Sequence, residues 1–483
     1  MSKKLKIALL AAGGLVALLV LLMTAILLFV DVNAYKPRLE AAASDALGME
    51  VRVGGRLGIG FFPGFHVALD NVRIRNRGTD LVSAAKAAVG IELLPLLHKE
   101  VRIGRIGLAS PRIFIERDRG GRFNFEKAEE KEKKPGEEAE GMLPSLDVGK
   151  VSLSDGSLLY MDKKTGGGIE AGGFDLDVSR LRLPGGKSSD LLKNLSFSAK
   201  FACKEFRTKD LDVSDLNLSV VGKDGVLDVK PVTMRIFGGQ GSGSIRADLS
   251  GPVPIYHVHY SLPKFRFEEF LKSLSPKKTA EGPMDFSANL SMRGKTAKEM
   301  TRTADGEVSL RGENLTFDGI DLDRVLSRYE SSQSFNLVDV GAFFFAGPIG
   351  PALTKGYGFA SIFQRTGGRS RIRKLVSDWK VERGVAHAKD VAMATHENRI
   401  ALKGRLDFAN ERFDDVTVAL IDGKGCARVR QKIRGSFGKP KVEEVSVLRS
   451  LAGPALKLFR QTRDLFPGGQ CEPFYAGSVA PPK

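Results

Sequence analysis

Tryptophan occurs once in 483 residues, cysteine three times, histidine six and tyrosine seven. Three cysteines cannot staple a small secreted domain, and they form no paired C-x-x-C sets of the kind that hold zinc. None of His66, His98, His257, His259, His387 and His396 belongs to an HExxH pair. His257 and His259 share one strand face, but no cysteine or carboxylate stands at ligand spacing beside them, which favours a structural role. Gly294-Lys295-Thr296 and Gly186-Lys187-Ser188 imitate the end of a phosphate loop, yet Asn289 and Leu181 stand where its first glycine belongs. A GxSxG elbow is missing, as is a cysteine in a papain-like setting. Asp175 and Asp177 alternate along a strand at solvent-facing positions, a poor arrangement for a glycosidase carboxylate pair. These absences argue against an enzyme and imply no cofactor, no metal and no catalytic residue.

What is abundant is phenylalanine (29), glycine (54) and positive charge, with 74 Lys and Arg against 57 Asp and Glu for a net +17. Apolar residues make up 42% of the chain, enough for an extensive core. Glycine at this level points to many turns and a β-rich chain. Phenylalanine far outnumbers tyrosine and tryptophan, so the interior offers grease and few polar-handled stacking platforms.

The amino terminus sets the expected compartment. Lys3, Lys4 and Lys6 precede an uncharged run from Ile7 to Val30 that ends at Asp31. At about 1.5 Å per residue this run reaches about 36 Å, slightly more than a hydrocarbon core of about 30 Å. The lysines place the amino terminus in the cytoplasm and the rest of the chain outside it, as a single-pass protein. A cleaved signal peptide ending near Val32-Asn33-Ala34 is the competing reading, but its apolar part would exceed the usual length of about 7 to 15 residues. For an exported chain, nucleic acid is not an expected partner, and the basic residues are in any case interleaved with acidic ones.

Beyond the span, a short helix is expected over Tyr35–Leu47, opened near Asn33 and stopped by Gly48. From Val51 the hydrophobic period becomes two. Phe174, Leu176 and Val178 alternate with polar residues, as do Leu195, Phe197, Ala199 and Phe201. The pattern returns at Leu216, Leu218 and Val220, at Tyr256, Val258 and Tyr260, at Phe286, Ala288 and Leu290, and at Val416, Val418 and Leu420. Each such strand has one apolar and one polar face. Gly166-Gly167-Gly168 and Gly238-Gly239-Gln240-Gly241 read as turns between them.

Residues 126–141 hold seven glutamates and four lysines, which reads as a solvated linker or an exposed helix. An amphipathic helix is expected over Asp321–Ser331, from Leu322, Val325, Leu326 and Tyr329. A second, basic one is expected over Ser446–Phe466, suited to an anionic lipid surface or to capping a sheet end. Val338–Phe363 is strongly apolar, but Pro348, Pro351, Lys355 and five glycines make it a poor membrane helix.

Several motifs resemble the AsmA family of bacterial envelopes. Pro63-Gly64-Phe65 leads into Leu69-Asp70-Asn71-Val72. Leu93-Leu94-Pro95-Leu96-Leu97 precedes Ile103, Ile106 and Ser110-Pro111, and Asp118 leads to Arg122-Phe123-Asn124-Phe125. Toward the other end, residues 306–326 and the closing Ile433-Arg434-Gly435 run resemble the family's carboxy-terminal domain. The resemblance covers 1–126 and 304–445. It implies a mainly β fold with few helices, in which a single transmembrane helix precedes a long curled antiparallel sheet forming an apolar groove, as in bridge-like lipid transfer proteins. The expected parts are a cytoplasmic tail (1–6), the anchor (7–30), an AsmA-like amino-terminal region (31–126) and the charged linker (127–143). A central groove region (144–303) and an AsmA-like carboxy-terminal region (304–483) follow.

The implied function is binding and conduction of phospholipid or other envelope-lipid acyl chains, from an inner-membrane anchor and in support of outer-membrane lipid balance. Candidate groove-lining residues are Phe174, Leu176, Val178, Phe197, Phe201, Leu218, Phe286 and Leu290. Burial of the same residues against a second sheet is the alternative. A modulator or assembly factor for outer-membrane proteins is the second functional class, an envelope enzyme the third, and an outer-membrane or periplasmic partner would fit either of the first two. In an oxidising compartment Cys426 and Cys471 are expected to pair and tie the tail back near Val429, leaving Cys203 buried.

Overall fold

The computed structural model describes residues 32–60, 65–92, 103–126, 142–143, 146–183, 186–187, 191–209, 211–274, 280–319, 321–329, 367–437, 439–443, 446–447 and 471–482. The fold is mainly β with few helices. The expected span Ile7–Val30 and the apolar stretch Val338–Phe363 lie outside the described residues, as does nearly all of the charged linker. Among the described residues no helix is long and apolar enough to cross a membrane. The chain forms two compact units, 1–209 and 210–483.

In the first unit, helix α1 (Lys36–Leu47) follows a 3-10 turn at Val32–Tyr35 and stops at Gly48, which adopts a left-handed φ of 65°. Side chains of the turn and the helix tie the next segment down. Glu40 accepts a hydrogen bond from the Val53 amide at 2.7 Å, and Asn33 accepts one from Leu57 at 2.9 Å. Strands β1 (Glu50–Val53) and β2 (Leu57–Gly60) pair with successive stretches of β3 (His66–Asn76), which pairs with β4 (Thr79–Ile91). Strands β5 (Ile103–Ala109) and β6 (Arg112–Arg117) run end to end between β4 and β7 (Leu146–Asp162). Both are parallel to β7, so the sheet is mixed and the expectation of purely antiparallel pairing is corrected. The reason is connectivity: residues 118–145 carry the chain back to the start of β5, the dozen or more residues that parallel neighbours require. Strands β8 (Gly167–Leu183) and β9 (Ser196–Thr208) complete the unit by antiparallel pairing.

The second unit is a meander in which each long strand pairs antiparallel with the next. Its members are β10 (Asp212–Lys223), β11 (Val226–Ile236), β12 (Gly239–Asp248), β13 (Ile255–Arg266), β14 (Pro283–Arg293) and β15 (Asp305–Asp318). It continues through β16 (Arg369–Glu382), β17 (Val385–Ala394), β18 (Arg399–Asp407), β19 (Arg412–Ile421), β20 (Ala427–Ser436) and β21 (Lys439–Val442). Asp224-Gly225, Phe237-Gly238 and Arg383-Gly384 are two-residue turns with both φ values positive, the geometry that matches strand twist. The glycine run at 238–241 is therefore only half a turn: Gly239 and Gly241 belong to β12. Likewise Gly167 and Gly168 open β8.

Helix α2 (Phe267–Leu274) follows β13, the short α3 (Ala297–Arg302) follows β14, and α4 (Leu322–Tyr329) follows β15. Leu322 and Leu326 of α4 are buried. Ser446 and Val447 form a two-residue strand against Arg430 and Val429, so the helix expected from Ser446 does not begin there; 448–470 lie outside the described residues.

Burial divides the second unit. From β15 onward the apolar face is closed, with Leu310, Ile372, Leu406, Val416 and Ile433 at most 3% exposed. The single tryptophan, Trp379, belongs to this core and donates its indole N–H to Ser377 at 2.7 Å. On the opposite face, Val376, Ala392, Ala394, Ala401 and Ala419 form a smaller core under Phe474, Tyr475 and Val479 of the carboxy-terminal tail. Cys426 and Cys471 are disulfide-bonded with their Cα atoms 6.1 Å apart, and Cys203 is free and buried.

Candidate functional site

Before β15 the apolar face stays partly open. Leu218, Met234, Ile236, Val258, Phe286, Ala288 and Leu290 are half-buried, and Ile245 is 38% exposed. Register aligns these residues across strands: Leu218 faces Val232, Val258 faces both Ile245 and Leu290, and Ala288 faces both Tyr260 and Val308. The face borders a half-open cavity of about 400 Å³ whose wall is almost wholly hydrocarbon. Val232, Met234 and Ile236 form one side, and Val258, Phe286 and Ala288 the other. One end is an aromatic wall in which Phe270 of α2 meets Phe237 edge-on at 5.3 Å and Phe265 at 6.2 Å.

Two of the lining side chains, Tyr260 and Leu262, rest on glycine. Gly239, Gly241 and Gly243 fall on one side of β12, and the neighbouring strand leans over them. A Cβ on Gly243 would lie 2.9 Å from Tyr260 Cδ2, and one on Gly239 would lie 3.1 Å from Leu262 Cδ1. A methyl group on Gly241 would overlap the Tyr260 phenol oxygen. That oxygen is buried and has no hydrogen-bond partner, and burial pushes the phenol's pKa up.

The polar face carries paired charge. Arg246 meets Asp228 through both carboxylate oxygens at 2.9 and 3.0 Å, and Arg405 meets Asp414 at 2.7 Å. A second hollow of about 500 Å³ holds Asp285, Glu307, Arg311, Asp378 and Lys389. There Asp378 accepts from Ser309 and Arg311, both at 2.6 Å, and Glu307 from Lys389 at 3.1 Å. Asp378 and Glu307 are thus engaged by cations, and Asp285 accepts from the Lys264 amide at 2.8 Å. Among the described residues no group of histidine, cysteine and carboxylate side chains is placed to hold a metal ion; His257 and His259 are exposed.

The eight candidate lining residues fall into two sets. In the first unit, Phe201 pairs with Leu176, and Phe174 lies opposite Cys203. The Phe174 and Phe201 rings stack with centroids 6.1 Å apart. Val178 pairs with Ala199, and Phe197 is half-buried beside the irregularity between Ser196 and Ser198. In the second unit Phe286 lines the cavity, while Leu218 and Leu290 sit beside residues that do. The glycines beneath Tyr260 and Leu262 and the Phe237–Phe265–Phe270 wall escaped the sequence reading. The signal was present, as three glycines at a spacing of two within a strand, but it looks like a turn when read as a cluster.

The family model for AsmA matches residues 1–202 and 171–347 in two overlapping segments. The chain belongs to the AsmA family. The match includes the middle of the chain, where alternation had carried little recognition, and ends before the stretch 348–445 that also looked AsmA-like. No characterised protein and no solved structure matches this AsmA-family chain.

Proposed function

We propose that this protein is a lipid carrier, not an enzyme: it binds acyl chains of phospholipid or another envelope lipid on its apolar strand faces and passes them on. It would do so from a single inner-membrane anchor with its amino terminus in the cytoplasm and its bulk in the periplasm, supporting outer-membrane lipid balance. The supporting observation is the hydrocarbon-lined cavity on a face that is closed elsewhere in the same unit. Each methylene moved from water to such a surface gains about 0.8 kcal/mol, so chains are held without any polar recognition, and neighbouring positions differ little in energy. Exposed Tyr35 at the end of the 3-10 turn and exposed Leu39 and Leu47 on α1, directly after the expected span, suit a helix resting at a membrane surface.

The test is photo-crosslinking in cells, with a benzophenone amino acid replacing Phe286 or Phe201 in the full chain. Adducts with the mass of an envelope lipid are expected at both positions. Adducts exclusively with nascent outer-membrane protein strands would overturn the carrier reading in favour of an assembly factor.

A further inference from the structure

We infer that the cavity over β12 and β13 is a seat, closed at its α2 end, for the methyl end of one acyl chain, a stopping point on the apolar face and not a stretch of open track. The inference rests on the carrier reading and adds a particular occupant and place.

Closure is the first argument. A chain sliding along the face toward α2 meets Phe237, Phe265 and Phe270, three rings in mutual contact at 5.3 to 6.4 Å. Phe265 and Phe270 are 3% and 8% exposed. Phe237 reaches this wall from the first position of a two-residue turn with φ of 51°, a left-handed conformation that disfavours a bulky side chain. Asparagine or glycine would satisfy the turn at lower cost, so the position is occupied by a residue that suits the wall and not the turn.

Clearance is the second. With no side chains at Gly239, Gly241 and Gly243, Tyr260 and Leu262 lie down over β12, and these two side chains line the cavity in place of standing ones.

Size and chemistry select the occupant. A dry cavity of about 150 Å³ accommodates the six carbons of benzene, so by proportion 400 Å³ holds about sixteen carbons. One acyl chain fills that volume. The wall is almost wholly hydrocarbon and the Tyr260 hydroxyl is itself buried out of reach, so a headgroup would lose its hydration without replacement. The chain therefore enters methyl end first and leaves its polar end outside.

The probe is hexadecanoic acid carrying a diazirine either at its methyl end or beside its carboxyl group, photolysed with the full chain and mapped by peptide mass spectrometry. The methyl-end reagent is expected to label Phe237, Phe265 and Phe270, and the carboxyl-end reagent to label residues away from that wall. Replacing Ala288 by Phe fills the cavity from its side and is expected to reduce wall labelling about tenfold; V258F serves as a second filling variant should A288F fail to fold. Undiminished wall labelling in a folded filling variant would overturn the seat. Methyl-end labelling spread evenly over Leu218, Leu290 and the first unit's Phe201 would also overturn it, while leaving the carrier reading intact. Absence of labelling by both reagents on either unit's apolar face would remove the carrier reading itself.

Discussion

Tyr260 lies across Gly241 so closely that a single methyl group on the glycine would overlap the phenol oxygen. Gly241→Ala should therefore lift the tyrosine into the cavity and destabilise the second unit by about 1–3 kcal/mol, the usual cost of forcing a methyl group into a packed site. Because the penalty is a clash with one ring, Gly241→Ala should cost far less in a Tyr260→Ala background. A double-mutant cycle by urea unfolding checks this, and additive effects would show that the glycine serves something other than that ring.

The same phenol hydroxyl is buried without a partner, a condition that costs about 1–3 kcal/mol. Tyr260→Phe keeps the ring and removes the oxygen, so the unfolding midpoint should hold or rise and capture of a saturated fatty acid should persist. A large loss of capture would mean that the hydroxyl meets a polar atom of the lipid.

Alternation made the strands legible because one polar and one apolar side per strand is written directly into residue order. Phe174, Leu176 and Val178 could thus be placed beside one another before any coordinates, as could Phe286 and Leu290. Helix α4 was legible for the same reason, from Leu322 and Leu326. Pairing direction was not: nothing in Ile103–Ala109 or Arg112–Arg117 reveals that a returning segment sets them parallel to β7. The cavity was also hidden, since two of its lining residues, Tyr260 and Leu262, lie where β12 has no side chains, and an absent side chain gives no periodic signal. Its wall joins Phe237 of a turn to Phe270 of a helix, a juxtaposition set by tertiary packing alone.

The carboxy-terminal tail is held by several independent attachments besides its disulfide. Arg399 donates to the carbonyl oxygens of Val479 at 2.9 Å and Asp422 at 2.7 Å, and Lys403 and Arg430 stand over the Phe474 ring. Cys426 and Cys471 are 45 residues apart, and closing a loop of that length stabilises by about 4 kcal/mol on the chain-entropy model. Cys471→Ser should therefore lower the unfolding free energy by several kcal/mol and increase exposure of the alanine-rich face around Ala392 and Ala401. Denaturation with and without a dithiol, alongside the variant, measures it; no difference between the three would mean the other attachments suffice.

The tail should also respond to pH at both extremes. Burial of Asp390 opposes its ionisation, but hydrogen bonds from Tyr475 and Ser478 and the charge of Arg311 outweigh it, holding its pKa below the ordinary carboxylate range. Burial of Tyr475, reinforced by its bond to Asp390, pushes the phenol well above its ordinary value. A depressed acid stabilises above its unfolded pKa of about 4, and the contribution is lost as pH falls through the folded value. A raised phenol stabilises below its unfolded pKa of about 10, and that contribution is lost as pH rises beyond it. Stability should thus be flat between these limits and fall outside them. Asp390→Asn should weaken the acid limb and Tyr475→Phe the alkaline limb, as read by unfolding free energy against pH.

Phe237 separates packing from function most sharply. Its left-handed backbone costs about 1–2 kcal/mol relative to a residue that accepts the conformation, while its ring supplies one side of the aromatic wall. Phe237→Asn satisfies the turn and removes the ring, so gain and loss oppose each other and the thermal midpoint should move little. The wall, however, should open. With the end stop gone, the preference for chains of about sixteen carbons should broaden toward longer ones, which competition among fatty acids of increasing length for the diazirine reagent would measure. A variant that loses stability yet keeps the same length preference would show that the ring serves the fold and that closure comes from Phe265 and Phe270 alone.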